Sequence, residues 1–220
     1  MPAKLKQTFF NVSCKDLAIS LLGKMLVRKL DNGEILKGRI VETECYPGGE
    51  DKASKSYMGR RTKGNEPMYM EAGTSYVYMT YGMYYCFNIS SAEPGAAVLI
   101  RAIEPIVGAE EMLKLRQCGR KSVSKKLKDT EIGNGPSKLC TAMNINKTNC
   151  NMLNLDTDKT FWLEDDQYNV TKMISTSRIG IASAGTLWAS KPYRFYVCNN
   201  PHVSKRDQLK ENDSVSHTNK

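Results

Sequence analysis

A chain of 220 residues is long enough for one core of ordinary size, and no Pro/Gly/Ser-rich linker divides it, so a single domain is expected. Its 32 Lys and Arg against 23 Asp and Glu give a formal charge of +9, which favours a polyanionic partner. No run approaches the roughly twenty apolar residues of a membrane span, Met1 to Phe10 lacks the apolar core of a signal peptide, and seven scattered cysteines without a CxxC pair argue against a disulfide framework or zinc site, so a soluble protein of a reducing compartment is expected.

In chain order, Ser13 and Asp16 suit the start of a short helix that carries Leu17, Ile19, Leu21 and Leu22 and is closed by Gly23. Residues 25–30 and 35–44 flank Asn32-Gly33, a dipeptide suited to a tight hairpin turn. A period of two places Leu36, Ile40, Glu42 and Glu44 on one face of the second strand, so two carboxylates end a strand on its otherwise apolar side. Residues 46–64 read as an irregular loop rich in Gly, Ser and charge. Residues 96–103 read as a strand with one charge, Arg101, which needs an anionic partner if buried; Glu44 or Glu42 would suit. Residues 107–117 and 135–144 read as helices, the second begun by Pro136 and Ser137, and 160–163 and 194–197 as strands. The window of Lys114, Arg116, Arg120, Lys121, Lys125, Lys126 and Lys128 suits a polyanion footprint and equally a solvated face. From Ser204 the chain turns polar and is expected to stay mobile, which makes 1–203 the domain and 204–220 a disordered tail.

The most informative segment is the hairpin Tyr76-Val-Tyr78-Met-Thr-Tyr81-Gly-Met83-Tyr-Tyr-Cys-Phe-Asn88-Ile-Ser90. Six of the eleven tyrosines fall between Tyr69 and Tyr85, and the turn at Tyr81-Gly82-Met83 puts a rigid ring and a thioether at a loop tip. Such a tip can wedge into a base stack, because tyrosine offers a large flat surface at small rotamer cost. The plainer reading is an amphipathic hairpin whose tyrosines pack into its own core. Glu44 with Tyr46 fits a general base beside an aromatic wall, although an exposed strand end carrying two glutamates is the commoner case.

Taken together, Arg39-Ile-Val-Glu-Thr-Glu-Cys-Tyr46, the GRRT of Gly59 to Thr62, the tyrosine hairpin, VLIRAIEP, GPSKLC, RIG at Arg178 and KPYRFYV closely resemble the alkyladenine (3-methyladenine or methylpurine) DNA glycosylases, from about Ser13 to Val197 and nearer the animal-type members. The resemblance implies an α/β fold, a single mixed domain with a curved, mainly antiparallel sheet flanked by helices and a protruding hairpin. It implies a monomeric, monofunctional hydrolase without metal or organic cofactor that flips alkylated or deaminated purines out of duplex DNA, in a nucleus or in a bacterial-type nucleoid. By the same resemblance Glu44 is the catalytic base, and Arg101 with the main-chain carbonyl at Ile179 holds the attacking water. Tyr46 and Tyr78 sandwich the flipped base, Asn88 disfavours the amino group of guanine, Tyr81 intercalates, and Met83, Arg60, Thr62, Lys138 and Lys147 contact DNA.

One pocket position departs from the family: Lys55 stands where a histidine is the rule. A lysine brings a full charge against a substrate that is often cationic. Three expectations follow: a glycosylase of altered lesion range with Lys55 turned out of the pocket, a bifunctional lyase in which a desolvated Lys55 attacks the sugar, or a damaged-DNA-binding protein that has lost turnover. In the lyase reading, the competing expectation is that Lys55 is paired with Asp51 or Glu50. A nucleic-acid binder of another class, using the same basic face, is the non-enzymatic alternative.

Overall fold

The computed structural model describes residues 2–118 and 127–216, with side chains to residue 212. In chain order it comprises β1 (Ala3–Lys4), α1 (Gln7–Phe10), α2 (Cys14–Ser20), β2 (Met25–Lys29), β3 (Ile35–Tyr46), β4 (Ser75–Thr80), β5 (Tyr84–Ser90) and β6 (Ala97–Val107). These are followed by α3 (Ala109–Gln117), α4 (Pro136–Ala142), α5 (Lys147–Cys150), β7 (Phe161–Asp165), β8 (Met173–Thr176), α6 (Thr186–Ser190), β9 (Arg194–Val197) and α7 (Gln208–Ser216). The strands form one open antiparallel sheet in the order β1-β7-β2-β3-β6-β5-β4, with β9 along the far half of β3 and β8 outside β9. The architecture is mixed α/β, with helices flanking the sheet, as the sequence leads one to expect.

Local chemistry accounts for the elements that matter. The Ser13 side chain caps α2 by accepting from the Asp16 amide, and Leu17 and Leu21 are fully buried. Asn32-Gly33 turns β2 into β3, with Gly33 at φ 86°. β3 is long because it is paired throughout, by β2 at its start, β9 at its end and β6 along the other side. Its alternation splits the termini of three side chains from those between them. Glu42, Glu44 and Tyr46 point towards the site, whereas the Thr43 hydroxyl donates to the Ala18 carbonyl of α2 and Cys45 joins the apolar core. Register shifts on both sides of Glu42 locally disturb the pairing with β6, and such irregularities re-aim side chains next to sites.

The structure adds β8, α5 and α6, which the sequence reading did not assign, and differs from it at the end of β6 and after Ser204. β6 runs on to Val107, which pairs with Lys37, and α3 begins only after Gly108, whose φ of 77° turns the chain out of the sheet. Polar residues after Ser204, expected to be mobile, pack against β8 and β9: the Thr176 hydroxyl donates to Asp207, the Asp207 amide donates to the Tyr196 hydroxyl, and Glu211 is buried against Arg206. Hydrogen bonds to buried polar groups here supply what apolar burial does not. Among the described residues, no helix is long and apolar enough to cross a membrane.

Candidate active site

Glu44 lies on β3 with no exposed surface. Its Oε1 accepts from the Ile179 amide at 2.8 Å, and its Oε2 accepts from the Tyr46 hydroxyl at 2.8 Å and faces Arg101 Nη1 at 3.3 Å. Burial pushes the carboxyl above the usual carboxylate range, while Arg101, the Ile179 amide and the Tyr46 hydroxyl draw it back. The Tyr46 phenol is held well up by burial and by the Glu44 carboxylate, so it remains the donor of that bond. Arg101, the lone basic residue of β6, meets both expected partners, with Nε also 3.3 Å from Glu42. The contact from residue 179 to Glu44 is made by its N–H.

Tyr46, Arg101 and Ile179, the three partners of Glu44, border a cavity of about 460 Å³, within the range of ligand pockets. Tyr46, Tyr76, Tyr78, Cys86, Asn88, Leu99 and Arg101 line it from the sheet, and Pro136, Ser137 and residues 179–181 from the loops. Asn88 is buried and its amide donates to the Tyr76 carbonyl across the hairpin. Burial pushes the Tyr78 phenol up, next to the Cys86 thiol on the paired strand. Lys55 is exposed, lines the same cavity, and sets its Nζ 4.3 Å from the centre of the Tyr78 ring.

Tyr81 and Met83 stand at the tip of the β4–β5 hairpin, 87% and 67% exposed, and Tyr81 also reaches the cavity mouth. Its φ of 52° is rare for a bulky side chain and, with Gly82 at 69°, makes the turn. Arg60, Thr62 and Lys147 share a second depression of about 400 Å³ with Lys55 and Tyr78. Lys138 lies apart from them on α4, its Nζ donating to Asn134. Within the basic window, Lys114 is exposed and pairs with Glu111, Arg116 is buried, and Arg120, Lys121, Lys125 and Lys126 lie outside the described residues.

The expected partnership of Lys55 with Asp51 is replaced by another. Asp51 forms a fully buried bidentate pair with Arg178 at 2.6 and 2.8 Å. Burial opposes the Asp51 charge, and the Arg178 guanidinium with the Ser54 hydroxyl overcomes it, holding the carboxyl below its usual value. Arg178 also donates to the Cys45 carbonyl and lies 4.7 Å from the centre of the Tyr46 ring. It thereby ties the loop after β3 to the segment whose amide holds Glu44. Sequence reasoning passed over Arg178 as a support of Tyr46, although it stood in the conspicuous RIG triplet.

A profile of the methylpurine-DNA glycosylases matches residues 8–201. The chain belongs to this family. It is 47% identical over 214 residues to the human DNA-3-methyladenine glycosylase, covering 96% of this chain and 71% of the human protein, and 46% identical over 212 residues to the mouse protein, of which it spans 63%. A probable DNA-3-methyladenine glycosylase of Encephalitozoon cuniculi is 48% identical over 194 residues, with 88% and 89% of the two chains aligned. A putative 3-methyladenine DNA glycosylase of Clostridium tetani is 42% identical over 209 residues, 92% of this chain and all of the relative. Membership makes this chain a hydrolytic DNA glycosylase of base excision repair.

Proposed function

We propose that this chain flips alkylated or deaminated purines (3-methyladenine, 7-methylguanine, hypoxanthine or ethenoadenine) out of duplex DNA and hydrolyses the N-glycosidic bond with water. The observation that carries the reading is the position of Glu44, fully buried behind three cavity-lining residues, with the Arg101 guanidinium, the Ile179 amide and the Tyr46 phenol on its oxygens and the exposed Tyr81 at the cavity mouth. A base works best when its proton affinity lies near the working pH, and burial moves Glu44 in that direction. Glu44 takes the proton of a water placed against the sugar, Arg101 and the main chain at residue 179 orient that water, and the base leaves from between Tyr46 and Tyr78. Tyr81 refills the vacated stack, recovering part of the few kcal/mol of lost pairing. Asn88 disfavours guanine, and Arg60, Thr62, Met83, Lys138 and Lys147 hold the strands. One chain carries every group, so a monomer acts, in whichever compartment holds its DNA, a nucleus or a nucleoid.

Lys55 lines the cavity instead of turning out of it, which departs from the first of its three expectations, but an altered lesion range remains the reading that its position supports. Its amine lies exposed at the mouth over Tyr78, whereas a Schiff-base nucleophile is enclosed. Both rings assigned to the base already face a cation, Arg178 at Tyr46 and Lys55 at Tyr78, which weakens their pull on a cationic base. The test is Glu44→Gln on duplex DNA with a single hypoxanthine: lesion binding is kept and base release is lost. Release by the variant at the wild-type rate would refute the assignment of the base.

A further inference from the structure

Glu42 stands two residues before Glu44 on the same strand, fully buried, and nothing in the chemistry above uses it. Its carboxylate is nonetheless saturated. Oε1 accepts from Arg101 Nε at 3.3 Å and from Arg194 Nη1 at 2.8 Å, and Oε2 accepts from the Ser204 amide at 2.8 Å. A buried carboxylate without such partners would carry a large desolvation penalty, which these contacts offset. Arg101 therefore stands between two carboxylates, 3.3 Å from each. Arg194 in turn donates to the carbonyls of Ser177 and Lys205. Ser177 lies two residues before the amide that holds Glu44. Both anchors of Glu44, the guanidinium of Arg101 and the 177–179 segment, thus trace back to Glu42 and Arg194, and the polar segment from Ser204 closes this cluster.

We propose that Glu42 is a positioning residue for Glu44, sharing Arg101 between the two carboxylates, and that the chain at Ser204 belongs to the catalytic apparatus because its amide satisfies Glu42 and leaves Arg101 available to Glu44. The proposal rests on Glu44 being the base. Around Glu44 stand Arg101 on the neighbouring β6, Cys86 on β5 beyond it, Tyr78 on β4, Arg178 on the segment after β8, and Glu42 and Tyr46 on its own strand. Two changes then act in opposite directions. Glu42→Gln removes a like charge and hands Arg101 wholly to Glu44, which lowers the proton affinity of Glu44. Ser204→Pro removes the 2.8 Å amide donor of Glu42 and also the hydroxyl that accepts at 3.5 Å from Arg101 Nη2; the loss of the shorter bond dominates, Glu42 leans on Arg101 instead, and the proton affinity of Glu44 rises.

The experiment is the pH dependence of single-turnover excision from a hypoxanthine duplex, with wild type, Glu42→Gln, Glu42→Asp and Ser204→Pro. A neighbouring buried charge moves a carboxyl by about one pH unit or more. The acid limb is expected to move to lower pH in Glu42→Gln, to return towards wild type in Glu42→Asp, and to move to higher pH in Ser204→Pro, with duplex affinity within about twofold throughout. Limbs that move the same way in Glu42→Gln and Ser204→Pro, or do not move, overturn the proposal. Should Glu42→Gln fail to fold, Ser204→Pro decides alone: an upward limb supports the proposal and an unmoved one overturns it. If Glu44→Gln keeps wild-type turnover, it is the assignment of the base that has failed, which separates the two outcomes.

Discussion

At the scale of single residues, the raised proton affinity of Glu44 has a consequence for stability as well as for catalysis. A carboxyl that binds its proton more tightly folded than unfolded stabilises the fold below its unfolded range, and that contribution is lost as pH rises through the folded value. At neutral pH the ionised form therefore opposes folding. Glu44→Gln, with Arg101 still held by Glu42, is expected to melt no lower than wild type at pH 7, with the gap closing in acid, while turnover drops by about two to four orders of magnitude. Melting curves at pH 7 and pH 4.5 check the sign; a variant clearly less stable at pH 7 would contradict it. Lys55 makes a second case. Two unit charges about 8 Å apart at an effective dielectric of roughly 20 repel by about 2 kcal/mol, and solvent at an exposed lysine reduces this. Lys55→Gln is therefore expected to raise excision of cationic 7-methylguanine about three- to tenfold relative to neutral hypoxanthine. An unchanged ratio of single-turnover rates would place Lys55 outside the field of the base.

At the scale of elements, the β4–β5 hairpin and the loop after β3 carry the site in different ways. The hairpin tip spends backbone strain on exposing Tyr81, whose side chain supports no packing in the free protein. Tyr81→Ala is expected to leave the melting temperature within about 2 °C of wild type and to abolish flipping of a fluorescent base analogue; flipping at wild-type level would refute the wedge. The loop depends instead on the Asp51–Arg178 pair. Removing one partner of a buried pair costs about 3–5 kcal/mol, so Asp51→Ala should lower the melting temperature by about 6–20 °C, read by thermal unfolding. The two elements were not equally legible. The hairpin announced itself through local signals, tyrosines at alternate positions and a glycine at the turn. The partner of Asp51 lies 127 residues away and shares no local pattern with it, so the nearby Lys55 looked the better match.

At the scale of the whole molecule, the charge of +9 and the depression lined by Lys55, Arg60 and Lys147 predict duplex affinity that falls steeply with salt, as counterions released from phosphates set the slope. A flat dependence would exclude phosphate contacts as the main source of affinity. The sheet around β3 and β6 was readable because Asn32-Gly33 fixed one turn and a lone arginine in an apolar strand demanded the acids that it meets. The order after Ser204 was not, because its stabilisation comes from hydrogen bonds to buried Glu42, Thr176 and Tyr196, which composition does not register. The central claim is that water, activated by Glu44, releases the base, and single-turnover excision with borohydride trapping on duplexes carrying 7-methylguanine or hypoxanthine tests it most directly. Free base without a trapped adduct is the predicted result. A trapped adduct that disappears in Lys55→Ala would make the lysine the nucleophile, and bound but unreleased lesions would make the chain a binding protein; either would contradict the claim.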